Sequence, residues 1–147
     1  MAGLADVLDA LEALYTGKPG LVTVRRNVPT VAPEADELPM LFFDVLSPSP
    51  EATSHRRTLV WSIDFYLLSA VKGEDLAADL ETAYPWPETL VGWSDEHVSL
   101  NGLLASSVRW PDPIMDDFAP ILLLKRTYFG CILHPRFPIK VERAFGQ

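Results

Sequence analysis
From Thr58 to Ser69 the chain alternates with a period of two. Leu59, Trp61, Ile63, Phe65 and Leu67 fall on one side of an extended backbone, and Thr58, Val60, Ser62, Asp64, Tyr66 and Leu68 on the other. Successive side chains of a strand point to opposite faces. The segment therefore predicts a strand with one strongly apolar face and one mixed face, in a sheet covered mainly on one side. Such a sheet needs a covering layer, and the chain must supply it.

Helical patterning supplies that layer. Leu4, Val7, Leu8, Leu11, Leu14 and Tyr15 form one apolar stripe. Asp6, Asp9 and Glu12 lie on other faces, the early acids suit the helix dipole, and Gly17 with Pro19 ends the element. A second stripe, Leu76, Leu80, Ala83 and Tyr84, opens after Gly73-Glu74-Asp75 and stops at Pro85. Trp86-Pro87 reads as a kink or break, and Leu90, Val91 and Trp93 as a short helical continuation.

The remaining segments read mostly as strands. Leu21 to Arg26 is a short β-prone run stopped by Asn27 and Pro29, and Pro29 to Pro39 is a loop. Met40 to Leu46 is a strand, and Ser47 to Ser54, with Pro48 and Pro50, a turn or projecting hairpin tip. Asn101-Gly102 between Val98/Leu100 and Leu103/Leu104 signals a type I′ hairpin leading into a strand from Leu103 to Trp110. Ile121 to Leu133 is one long strand or two parts, and Ile139 and Val141 form a last edge strand with Pro138 at its start. The expectation is an α+β fold: an antiparallel or mixed β-sheet of about five strands with two main helices packed on it, in a single domain over residues 1–147.

Composition narrows the function. At 147 residues, with 48% hydrophobic and 22% charged residues, the chain reads as globular. Its mean hydropathy of +0.13 suggests apolar surface covered by a partner. The net charge of −8 argues against stable nucleic-acid binding, which demands a basic footprint. One cysteine, Cys131, fits a reducing compartment, and no signal peptide or membrane-length apolar run is seen, so a soluble intracellular protein is expected.

No catalytic or metal constellation is legible. Cys131 and His134 form a C-x-x-H without a second ligand pair, and His55 and His97 are not spaced to help. No G-x-S-x-G is present, and Ser62 and Asp64 share a strand face with no histidine tied to them. The acid pairs Asp36/Glu37, Asp95/Glu96 and Asp116/Asp117 are chain neighbours, which does not place two carboxyls across a cleft. The expectation is no enzyme, no cofactor and no metal. The candidate interface residues are the basic pairs Arg25-Arg26 and Arg56-Arg57, suited to bidentate contacts with a neighbouring subunit, and Trp86 and Trp93, which either anchor an interface or cap the core.

The layout resembles the tail terminator, or tail completion, proteins of long-tailed bacteriophages and phage-like particles. The residues that carry the resemblance run the length of the chain. They are the leading helix Leu4 to Tyr15, the strand Val22-Thr23-Val24-Arg25-Arg26-Asn27-Val28-Pro29, Leu38-Pro39 opening a strand pair, the strand Thr58 to Ser69, the helix from near Glu74, and Tyr128-Phe129-Gly130. The resemblance implies a homohexameric ring that caps a finished tail tube, ends its polymerisation and docks onto the neck of the head. The implied partners are other copies of the chain, the tail tube protein and a neck or head-completion protein. DNA would pass through the ring without stable binding, no membrane is involved, and the site of action is the virion tail, assembled in the bacterial cytoplasm. Pro29–Pro39 and Ser47–Ser54 would be arms reaching a neighbour. The alternatives are another neck or tail-tube component, an adaptor without a ring, or a small ligand-binding α+β domain with a cleft near Asp64, Tyr66 and Tyr128.

Overall fold
The computed structural model describes residues 3–52, 57–97, 99–100 and 102–141. The fold is α+β, with a mixed six-stranded sheet. In chain order the elements are α1 (Leu4–Tyr15), β1 (Thr23–Arg25), β2 (Met40–Ala52), β3 (Arg57–Val71), α2 (Leu76–Ala83), α3 (Pro85–Asp95), β4 (Ala119–Leu123), β5 (Arg126–Leu133) and β6 (Arg136–Lys140). A 3-10 turn, Ala35–Glu37, interrupts the proline-rich loop.

The strand order is β1-β2-β3-β5-β4, with β6 also paired to β3. Among the described strand pairs only β1–β2 is parallel. The centre is β3, which pairs with β2 along one side. On its other side β5 pairs from Phe65 to Val71 and β6 from Thr58 to Ser62. β5 and β6 are thus one line of chain along β3, broken at His134-Pro135, and the Pro135 carbonyl accepts from Ile63 N–H at 3.3 Å.

The alternation of β3 sorts the core. Ile63, Phe65 and Leu67 join Leu41, Phe43, Cys131, Leu133, Phe137 and Ile139 on one face, covered by Val7, Leu8, Leu11 and Tyr15 of α1 and by Trp86 and Leu90 of α3. Leu68 on the other face meets Met40, Phe42, Leu38 and Tyr128 in a smaller cluster. Gly130 allows β5 to approach β3: a Cβ there would lie 1.8 Å from the Leu67 carbonyl oxygen.

Several elements differ from expectation. β2 continues through Pro48 and Pro50 to Ala52, with a register shift between Val45 and Pro48. Beyond Phe42 it has left its partner β1, and prolines are tolerated where a strand edge needs no donor. The rest of the expected tip, Thr53 to Arg56, lies outside the described residues.

The second helix is two helices. Pro85 has no N–H to continue α2 but suits the first turn of α3. The expected stripe of α2 is buried only in part: Ala83 is buried and Leu80 half-buried, but Leu76 and the capping Tyr84 are 61% and 52% exposed, and Asp79, off the stripe, is buried. The cause is local: the Asp79 carboxylate turns inward and accepts from Gly73 N–H at 3.2 and 3.3 Å.

Among the described residues from 99 to 110, turns, bends and an isolated bridge at Arg109 stand where the hairpin and strand were expected. Val98 and Asn101 lie outside the described residues; beside them Leu100 and Gly102 have φ of 48° and 86°, and Leu100 and Leu104 are tucked into the core. The segment then runs beside β6, with Ala105 N–H donating to the Pro138 carbonyl at 2.8 Å. Pro138 sits mid-strand opposite Val60, not at the strand start.

Candidate functional site
On the second face, β2 and β3 change character along their length. Buried Met40 and Leu68 give way to a Phe42–Tyr66 stack with ring centroids 4.8 Å apart, and this gives way to the cross-strand neighbours Asp44 and Asp64. The antiparallel register sets Phe65 opposite Leu133. His134 follows Leu133, and alternation turns its side chain to the acidic face. Its Nδ1 lies 3.0 Å from Asp64 Oδ1 and its Nε2 2.9 Å from Asp116 Oδ1.

Both ring nitrogens can donate to these two carboxylates at once only when the imidazole is protonated. Burial works against that charge, but the hydrogen bonds that the ring donates to Asp64 and Asp116, and their charges, outweigh it and hold the His134 pKa above its ordinary value. Burial and then the Asp64 charge raise the Asp44 pKa. Burial, then Asp44, Asp64 and Asp116, raise that of Tyr66, so three carboxylates surround this spot. While protonated, the ring has no free lone pair for a proton or a metal. The expectation that no histidine is tied to Asp64 is corrected: His134 lies in hydrogen-bond contact with it. Among the described residues no group of three or more His, Cys, Asp or Glu is arranged to hold a metal ion. Cys131 points to the opposite, apolar face from His134, and burial pushes its thiol up to about 12. Tyr128 shares no cleft with Asp64: it is fully buried, and its hydroxyl donates to the Pro33 carbonyl at 2.6 Å.

That bond redefines the loop Pro29–Pro39. Arg126 also reaches Pro33 O and Glu34, each at 3.2 Å. The loop folds across its own sheet to β5, which corrects its reading as an arm extended to a neighbour. The described part of the β2–β3 hairpin is tied to its own chain by a bidentate Arg109–Glu51 pair at 2.7 and 2.8 Å.

The candidate interface residues are scattered. Arg25 is exposed and pairs with Glu37 at 3.3 Å. Arg26 bridges to Asp9 and donates to the Ala5 carbonyl at 2.9 Å, tying β1 to α1. Arg57 begins β3, exposed, opposite Ala52, and Arg56 lies outside the described residues. Trp86 is 9% exposed and packs over Gly20, while Trp93 is half-buried against Tyr15 with the Lys18 ammonium 5.5 Å from its ring centre.

Sequence reasoning did not single out the apolar surface at the sheet's margins. Leu122 on the terminal strand β4 is 72% exposed, and the α2 residues Leu76 and Tyr84 are also exposed, Tyr84 edge-on to Phe118 at 5.5 Å. At the other margin Val22, just before β1, is 59% exposed. No protein-family model matches the chain, and no curated protein matches it.

Proposed function
We propose that this chain is a structural assembly protein, not an enzyme, that closes into a homo-oligomeric ring of about six copies as the resemblance to tail terminators implies. In that reading the ring caps a phage-type tail tube, ends its polymerisation, and presents a surface to the neck of the head. One observation carries it: the sheet ends in two unlike strands, parallel-paired β1 and antiparallel-paired β4, and exposed apolar side chains flank both. Unpaired edges invite pairing or cover. Two unlike margins suit a head-to-tail contact, which closes into a ring when the rotation allows.

The test is the mass of the purified protein by light scattering, with negative-stain images and Leu122→Asp and Leu76→Asp alongside. A closed ring in the parent that falls to monomer in either variant, with unchanged circular dichroism, is the expected result. Long stacked tubes would move the assignment to a tail-tube protein. A monomer that also fails to cap purified tail tubes would overturn the reading.

A further inference from the structure
We propose that His134 is a proton-operated clamp that sets how firmly the segment from Pro111 to Phe118, and the edge strand β4 that it feeds, is held against the sheet. The clamp has a fixed jaw and a moving jaw. Asp64, on the central strand, has a side chain only 14% exposed, whereas that of Asp116 is 61% exposed and belongs to a segment without regular strand structure. His134 sits between them with its side chain 26% exposed, screened from water but reachable by protons.

The segment is otherwise held by few directional contacts. Asp116 N–H donates to Ile132 O at 3.0 Å, and His134 N–H to Ile114 O at 2.9 Å, around an isolated bridge between Met115 and Leu133. Three residues after Asp116, β4 begins, and its neighbour Phe118 meets Tyr84 of α2. A change at Asp116 is therefore passed by a short length of chain to the exposed margin.

The groups facing the ring make the switch one-sided. They are Asp64 from β3 and Asp116 from the segment itself, with Asp44 of β2 across from Asp64 and Tyr66 on the same face next to them. While protonated, the ring is a cation held between two carboxylates, with a third, Asp44, beside Asp64. On losing its proton it keeps one N–H, which stays with the less exposed Asp64. Nε2 then turns a lone pair toward Asp116, and attraction becomes repulsion. The moving jaw opens as pH rises through the ring's own titration.

This inference does not depend on ring formation, and the test uses the full chain in whatever state it adopts. The His134 ring is followed by NMR across its titration, its signal assigned by its loss in His134→Gln, while amide exchange at Asp116 is measured in the same samples. The expected result is a midpoint above the model-peptide value of about 6.5, with Asp116 protection falling roughly fivefold or more on the same midpoint. In Asp116→Asn, which changes a largely exposed side chain and leaves the fold intact, the midpoint moves back down and the pH dependence of protection flattens. A midpoint at or below the model-peptide value would overturn the clamp. So would Asp116 protection that stays level while the ring titrates.

Discussion
The two faces of the sheet are built from the same strands and held by different physics. On the helical face, Phe43, Phe65, Phe137 and Tyr15 pack as one aromatic group, with Phe43–Phe65 centroids at 4.9 Å and Tyr15 edge-on to Phe65 at 5.7 Å. That burial is non-directional and continuous, and it tolerates small errors of angle. On the other face the apolar cluster is short, and two connecting segments are pinned by a few polar contacts, among them Tyr128 and Arg126 to Pro33, and His134 to Asp116. The helical face makes the fold stable, whereas the opposite face decides where the irregular chain lies. Stability and placement are thus separable, and each can be attacked alone.

The severest test strikes between the faces. Gly130→Ala drives a methyl into the Leu67 backbone carbonyl, where no side chain can yield. The β3–β5 pairing has to open, at a cost above about 5 kcal/mol, comparable with the whole stability of many domains. The expected outcome is no cooperative thermal transition; a melt within a few degrees of the parent would show that β5 can shift freely. Next comes the helical face alone. Phe65→Ala removes the ring at the centre of the aromatic group and should cost about 3–5 kcal/mol by denaturant titration, with assembly lost only through unfolding. On the opposite face Tyr128→Phe deletes one buried hydroxyl and leaves the Pro33 carbonyl without its donor. About 1–2 kcal/mol should be lost, with faster amide exchange confined to the Pro29–Pro39 loop. Equal exchange throughout the chain would mean that the two faces are not separable.

The helical face was also the legible one. α1 falls on the residues that its apolar stripe marks, and β3 contains the alternating segment with one to two residues added at each end. Both patterns record burial, and burial is written locally. The opposite face depends on register, which is not local: Asp64 and His134 are 70 apart in the chain and meet because Phe65 pairs with Leu133. Turn chemistry misled for a related reason. The two-residue β4–β5 turn, Leu124-Lys125, has φ of 51° and 68° without glycine or asparagine, because the flanking strand pairing imposes it. Around Asn101-Gly102 tertiary packing draws Leu100 and Leu104 inward, and no strand follows from Leu103 to Trp110. For α2, a stripe with helical spacing was read as core, yet only Ala83 and part of Leu80 go inward, while Asp79, bonded to Gly73 N–H, takes a buried place and Leu76 and Tyr84 stay exposed.

The smallest effect is the most diagnostic of the polar face, because the sign of its pH dependence runs against the usual rule for carboxylates. Asp44 has its pKa raised, by burial first and the Asp64 charge second, so its contribution is full below the ordinary carboxylate value and declines as pH rises through the raised one. His134 is raised too, the bonds to Asp64 and Asp116 outweighing burial, so its contribution is full below about pH 6.5 and declines above it. Both groups make the polar face weaker as pH rises, in two separate windows. Because both are partly solvated, the combined change should stay below about 1 kcal/mol. Melting temperatures across both windows should therefore show two shallow downward steps attributable to this face. Asp44→Asn should erase the lower step and leave the upper, while His134→Gln should do the reverse. If one substitution erased both, Asp44 and His134 would titrate as one coupled unit, and the acidic end of the sheet would have to be treated as a single charge.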